Sequence, residues 1–264
     1  MNKAALFFDV DGTLIEEQTK IVPESTLRAL KQAREIGHLV FINTGRTACN
    51  TLDSMKHIPV DGYVCGCGTE IIYQGNVLMH STLSEEQCRR YIQVIQECRM
   101  EGVLEASDDL YFPKNISRFP EIEDIRQRMG KAWGLGCKKY IEDGGFIYDK
   151  MFLLSDQTSD VVKFIEEVSD NLAVIDRRHG SYECIQKQYT KATGIEYMRK
   201  YLGYDMDQIY VFGDSSNDLA MFEYAAHTVA MKNHDSVLEP YTEYVTDSVM
   251  NDGIEKAMKH YQLI

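Results

Sequence analysis

The sequence has no run of about 18 successive apolar residues, so no membrane-spanning helix is expected. Its opening, MNKAALFF, holds a short apolar stretch that gives way at once to Asp-Val-Asp, too brief for the core of a secretion signal. The chain is therefore expected to work in the cytoplasm. Positive charge is scarce: 28 Lys plus Arg stand against 41 Asp plus Glu, for a net charge of -13. Such a balance repels nucleic-acid backbones and anionic membrane surfaces unless cations cluster. The pairs Lys138-Lys139 and Arg177-Arg178 are too small for that and read as solvated surface charge. No nucleic-acid or membrane partner is expected. A disulfide framework is also lacking, since the seven cysteines are odd in number and scattered. The one close pair, Cys65-Gly-Cys67, has no second Cys or His pair at zinc spacing. Internal repeats and low-complexity linkers are absent too.

What remains is an ordinary globular composition, 44% hydrophobic and 26% charged. At 264 residues the chain exceeds the usual size of one compact domain. Short apolar runs alternate with helical patterns over the first 80 residues, the mark of a parallel sheet with crossover helices. Strands are predicted at 4–7, 38–42 and 62–66, helices at 23–37 and 47–56, and a hairpin turn at 74–76. From Ser84 a long helix begins and the pattern changes, which reads as a second α/β domain inserted over 84–186. Its strands are expected near 103–106, 109–112, 150–154, 172–175 and 182–185, with helices from 121 and at 160–168. The alternation of strand and helix returns afterwards: helix 191–202, strand 209–212, helix 217–225, strand 228–231 and a last helix near 253–261. The core is thus expected to comprise 1–83 and 187–264.

Asp9-Val10-Asp11-Gly12-Thr13 follows a buried apolar strand, which sets two carboxylates at the carboxyl end of a parallel strand, where α/β proteins build their sites. Carboxylates so close repel one another unless a cation or a shared proton relieves them, and a hard divalent metal is the natural partner. An EF-hand loop does not fit, because counting from Asp9 puts Lys20 where the bidentate Glu belongs. Gly213-Asp214-Ser215-Ser216-Asn217-Asp218 repeats the logic after a second buried strand. If the two strand ends meet, Asp9, Asp11 and Asp214 form an oxygen-rich pocket suited to Mg²⁺, with Asp218 bound through water. Asn43-Thr44-Gly45-Arg46 ends another strand and offers a hydroxyl and backbone N–H groups to a phosphate. Taken singly, Asp214 or Ser216 could be a helix cap and Lys191 plain surface charge.

In their order and placement these segments resemble the motifs of the haloacid dehalogenase superfamily, and within it the Cof-type phosphatases with a large α/β cap inserted after the third core strand. DVDGT is similar to the first motif, Thr44 to the second, Lys191 to the third and GDSSND to the fourth. The resemblance implies a Rossmann-like core with an inserted cap and Mg²⁺-dependent hydrolysis of a small phosphorylated metabolite, such as a sugar or cofactor phosphate. It implies Asp9 as nucleophile, forming an aspartyl-phosphate, and Asp11 as the group that protonates the leaving oxygen and then activates water. Mg²⁺ would be held by the Asp9 carboxylate, the Asp11 carbonyl and Asp214, and phosphoryl oxygens by Thr44, Gly45, Lys191 and Asn217.

Two stretches depart from the family pattern. Cys67-Gly68-Thr69 stands where these phosphatases often carry Asn-Gly-Ala, and QKQYTK leads into Lys191 without the usual glycine. Phosphomutase action and a non-catalytic metabolite-binding module are the alternative functions, the second opposed by the intact Asp9, Asp11 and Asp214. Arg46 is the core-side candidate for leaving-group contact, and Arg177, Arg178 and His179 are cap-side candidates. The sequence gives no reading of oligomeric state.

Overall fold

The computed structural model describes residues 3–264, so the first two positions of the expected core segment lie outside it. In chain order the elements begin with β1 (Ala5–Phe8), α1 (Glu24–Ile36), β2 (Leu39–Asn43), α2 (Ala48–Met55), β3 (Gly62–Cys65), β4 (Glu70–Tyr73) and β5 (Asn76–His80). Next come α3 (Glu85–Glu97), β6 (Glu101–Glu105), β7 (Leu110–Tyr111), α4 (Pro120–Trp133), β8 (Lys150–Leu154), α5 (Val161–Val168), β9 (Leu172–Asp176) and β10 (Ser181–Gln186). The chain closes with α6 (Lys191–Leu202), β11 (Ile209–Gly213), α7 (Leu219–Tyr224), β12 (His227–Ala230), β13 (Tyr244–Val245) and α8 (Gly253–His260). Two compact units result: one of residues 3–45, Met55–His80 and Tyr189–Ile264, the other of Arg46–Ser54 and Ser81–Gln188.

The first unit is built on an eight-stranded sheet in the order β13-β12-β11-β1-β2-β3-β4-β5. From β13 to β3 every pairing is parallel, and the β3-β4-β5 hairpins are antiparallel. β1 is apolar throughout because both its faces are covered, as parallel strands require. Phe8 stacks on Phe212 at 4.2 Å between ring centroids, while Phe7 stacks on Phe41 at 4.9 Å. These pairs are direct register partners on opposite faces of the sheet, so the alternation of side chains feeds two separate cores. α1 and α8 serve one core, α6 and α7 the other. α1 ends at Gly37, whose φ of +105° supplies the left-handed cap that a residue with a Cβ resists.

The second unit is an antiparallel sheet ordered β7-β6-β8-β10-β9. α3 and α5 cover one face through Tyr91, Val94, Phe164 and Val168. Ser84 caps α3 by accepting from the Gln87 N–H at 3.2 Å while Gln87 accepts from the Ser84 N–H at 2.9 Å, a reciprocal box that fixes the helix start. On the other face α4 packs Ile122 with Val103, Phe112 and Leu154. Arg46–Ser54 belongs to this unit because Cys49 packs against that cluster and donates its thiol to the Ala106 carbonyl at 3.3 Å. Beside the cluster, Lys150 lies between Glu105 and Glu183, and Arg177 also pairs with Glu183. Burial alone would raise the Glu183 carboxyl, but Lys150 and Arg177 outweigh it and hold it down to about 2. Among the described residues no helix is long and apolar enough to cross a membrane.

Candidate active site

Because β1 runs parallel to both β2 and β11, the three strands end at one edge of the sheet. Asp9 follows β1, Thr44 follows β2 and Asp214 follows β11, so the nucleophile candidate sits between a hydroxyl and a second acid. This is also the point where strand order reverses, the place where open α/β sheets form their crevice. The Asp9 N–H donates to the Phe212 carbonyl at 2.9 Å, tying the two acid-bearing strand ends together. Gly12 takes a φ of +86°, and a Cβ there would lie 2.3 Å from Asp214 Oδ2. Glycine is required at this spot so that the first loop can cross over the Asp214 carboxylate. Thr13 completes the contact by donating its hydroxyl to Asp214 Oδ1 at 2.7 Å.

Lys191 reaches the same edge from the opposite end of the sequence. Thr190 caps α6 by accepting from the Thr193 N–H at 3.3 Å, and Lys191 is the first residue of the helix. Two glycines let the helix approach the sheet. A Cβ on Gly68 would meet the Thr190 carbonyl at 2.3 Å, and one on Gly194 would meet Val64 Cγ1 at 2.3 Å. The Lys191 side chain is wholly buried. Its ammonium donates to Asp9 Oδ1 at 2.5 Å, Asp218 Oδ1 at 2.5 Å and Asn217 Oδ1 at 3.2 Å. A cation at a helix N-terminus is opposed by the helix dipole, and the two carboxylates offset that. Burial would depress the lysine, but Asp218 and Asp9 outweigh it and leave it above its ordinary value, hence charged.

Asp9, Asp214 and Asp218 each offer a carboxylate oxygen within 4.8 Å of the others. Three buried carboxylates facing one ammonium leave two negative charges uncompensated. The strain is visible in the acids themselves. Burial pushes Asp9 up to about 7, against the pull of Lys191 and with the push of Asp218. Burial, then the Asp9 charge, pushes Asp214 up to about 8. The oxygen-only donor set and the residual charge of two fit a hard divalent cation. Asp218 is the least available of the three, because Oδ2 already accepts from the Asp214 and Ser215 N–H groups at 2.9 and 3.0 Å and Oδ1 from Lys191. A cavity of about 340 Å³, whose lining includes Gly12, Gln18, Asp214, Asn233, Met231 and Val249, opens beside the acids.

The other sequence candidates fall as follows. Asp11 stands apart from the three converging carboxylates, and its Oδ1 accepts from Lys20 at 3.0 Å. The Thr44 N–H donates to the Val64 carbonyl at 2.8 Å, so of the backbone N–H groups expected to face a phosphate in this segment that one is taken. Gly45 follows it at the strand end, half-buried, and Arg46 begins the segment that belongs to the second unit. Asn217 accepts from Lys191 and from the Ser215 hydroxyl at 2.9 Å, which orients its carboxamide with the oxygen toward the lysine. In the second unit Arg177 is occupied by Glu183, while Arg178 and His179 form the left-handed turn before β10. Three residues escaped the sequence reading. Thr13 stood in the first motif without a role. Asn43, fully buried, donates to the Lys191 carbonyl at 3.2 Å, and Lys20 pairs with Asp11. Only Thr13 carried a local signal, as the hydroxyl closing the Asp-Gly-Thr turn.

Comparison with known proteins gives the family. The family profile described as haloacid dehalogenase-like hydrolase matches residues 6–258. A Bacillus subtilis protein provisionally named phosphatase YkrA is 27% identical over 281 residues, covering 100% of both chains. A second B. subtilis protein, the 5-amino-6-(5-phospho-D-ribitylamino)uracil phosphatase YitU, is 24% identical over 96% of this chain and 95% of its own. Among solved structures, a hypothetical protein of Geobacillus kaustophilus HTA426 superposes with a TM-score of 0.85 at 25% identity, covering 100% of each chain.

Proposed function

The chain belongs to the haloacid dehalogenase-like hydrolases, as a Cof-type phosphatase, and from that premise we propose that it hydrolyses small phosphate monoesters through a phosphoryl group carried on Asp9. The observation that carries this reading is the Asp9–Lys191–Asp218 network at the end of β1, with Asp214 beside it and a charge deficit that a divalent cation matches. Asp9, Asp214 and the Asp11 carbonyl would hold Mg²⁺, which when bound supplies charge neutralisation for the phosphoryl oxygens.

The protein's own groups then account for two displacements. An Asp9 oxygen attacks phosphorus, the bond from phosphorus to the ester oxygen breaks, and Asp11 gives its proton to the departing alkoxide. Water next attacks the phosphorus of the aspartyl-phosphate while Asp11 takes a proton from it. The bond between phosphorus and Asp9 breaks, and inorganic phosphate leaves. Lys191, the Thr44 hydroxyl, Gly45 and the Asn217 carboxamide bind the equatorial oxygens, where phosphoryl transfer is mostly positioning and charge stabilisation. The ammonium is held by Asp9 and Asp218 before substrate arrives, so it needs no reorganisation when charge develops. The substrate class follows the relatives: a phosphorylated sugar, polyol or cofactor fragment, YitU being named for a phosphoribityl compound.

The test is phosphate release from a panel of sugar, nucleotide and cofactor phosphates with Mg²⁺ or with EDTA, for wild type and Asp9→Asn. Magnesium-dependent release that Asp9→Asn lowers by at least about 10³-fold supports the reading, since losing a nucleophile removes the covalent route. Full activity in Asp9→Asn, or release indifferent to EDTA, refutes it.

A further inference from the structure

The loop that follows the first motif is closed on itself in a way that ends on Asp11. The Glu16 N–H donates to the Ile21 carbonyl at 3.0 Å and the Lys20 N–H to the Glu16 carbonyl at 2.9 Å. Glu16 Oε2 accepts three donors: the Gln18 N–H at 3.0 Å, the Thr19 N–H at 2.6 Å and the Thr19 hydroxyl at 2.8 Å. Within this turn Lys20 adopts a φ of +57°. A residue with a long side chain resists that conformation, at a cost of about 1 kcal/mol or more, and keeps it only where its surroundings insist. The result is directional: the turn carries the Lys20 ammonium back over nine positions to within 3.0 Å of Asp11 Oδ1. The pair is more than a third exposed on both sides, with side chains 56% and 35% accessible, so it contributes little to stability. A strained, self-braced turn whose product is an ion pair of small stabilising value calls for a role outside stability.

We propose that Lys20 is a positioning residue for Asp11, with the Glu16–Lys20 turn as its brace. The inference rests on the proposed chemistry, in which Asp11 hands a proton to the ester oxygen. The ammonium anchors one carboxyl oxygen and so restricts rotation of the side chain that must meet the leaving group. Cleavage of an alkyl phosphate needs that proton, because an alkoxide is a poor leaving group. Cleavage of 4-nitrophenyl phosphate needs it far less, because the nitrophenolate leaves without help. Loss of the anchor therefore falls more heavily on the alkyl ester.

The experiment measures kcat/KM, which reports departure of the leaving group and not the later attack of water that both esters share, for the best alkyl phosphate of the panel and for 4-nitrophenyl phosphate in wild type, Lys20→Met, Lys20→Arg and Glu16→Ala, with thermal melts alongside. Expected is a drop of roughly five-fold in the ratio of alkyl to aryl kcat/KM for Lys20→Met, consistent with the scale of an exposed ion pair. Glu16→Ala moves the ratio the same way, Lys20→Arg recovers most of it, and the melting temperatures stay close to wild type. A ratio unchanged in Lys20→Met, an equal loss on both esters, or a gain on the alkyl ester overturns the proposal. These outcomes are read only where wild type depends on Asp9, so failure of the anchor and failure of the phosphatase chemistry are told apart by Asp9→Asn on the same two esters.

Discussion

Replacing Lys191 with Met removes the ammonium that both Asp9 and Asp218 accept from, while keeping most of the side chain's apolar stem. In the metal-free protein the buried cluster then holds three carboxylates and no compensating charge from this helix. Removing one partner of a buried ion pair costs about 3–5 kcal/mol, because the remaining charge is stranded, which in a chain of this size lowers the melting temperature by roughly 10 °C. The penalty has a definite pH dependence. Asp9 and Asp214 have folded values near 7 and 8, raised above their ordinary 3.8. A raised acid keeps its proton in the folded state after the unfolded chain has lost it. The contribution of these two acids is therefore most favourable at low pH and falls as pH climbs from about 4 toward 8. Wild type in EDTA should melt at a lower temperature at pH 8 than at pH 5, and millimolar Mg²⁺ should recover most of that difference at pH 8. In Lys191→Met the fall between pH 5 and 8 should be steeper. Thermal melts at the two pH values, with EDTA and with Mg²⁺, test this directly. If the substitution costs less than about 1 kcal/mol at pH 8 in EDTA, or costs the same at both pH values, the buried ion network is not what organises this edge of the sheet.

Two further outcomes follow from the packing. Gly12→Ala places a methyl group 2.3 Å from Asp214 Oδ2 at a φ of +86°. It should cost about 1–3 kcal/mol and raise the Mg²⁺ concentration needed for half-maximal phosphate release; an unchanged metal titration counts against the cradle. In the second unit, Glu183→Gln leaves Lys150 and Arg177 without their shared carboxylate, and a loss of about 3 kcal/mol is expected in denaturant unfolding of that unit. Glu183 has a depressed folded value, so its contribution is present above about 4.5 and lost as pH falls through about 2; wild type and variant should converge in acid.

Much of this fold was legible because its parallel strands are continuous apolar runs bounded by glycine or acid. Ala5–Phe8 and Ile209–Gly213 stand out in that way, and Glu24–Ile36 announces itself by apolar spacing and a terminal glycine. β13 was missed: two residues at a sheet edge, one half-buried and one exposed, carry no pattern. The expected helix over 217–225 begins as a short 3₁₀ turn at Ser216–Asp218, because Asp218 bends back to accept from the Asp214 and Ser215 N–H groups. Asp9 and Asp214 could be picked out since acids at the ends of buried strands have few other reasons to be there. Lys191 could be named only through the family resemblance. A lysine on a helix carries no local sign of burial, and its partners lie 182 and 27 positions away. Lys20 and Asn43 were invisible for the same reason: their roles are contacts, made by a turn and a strand end that composition does not encode. The grouping of Arg46–Ser54 with the second unit likewise depends on Cys49 meeting Ala106, a pairing no spacing suggests.

The central position of β1 also bears on synthesis. Its neighbour β2 emerges from the ribosome within about 40 residues, but β11, its other neighbour, begins only at Ile209. Until then a nascent chain carries an apolar strand with one bare edge, a template for wrong pairing. Asp214 and Lys191 arrive equally late, so a partly made polypeptide holds Asp9 without the carboxylate and the ammonium that lie beside it in the folded protein. Pairing of β11 with β1 and assembly of the acidic cluster therefore coincide, which spares the cell a half-built hydrolase.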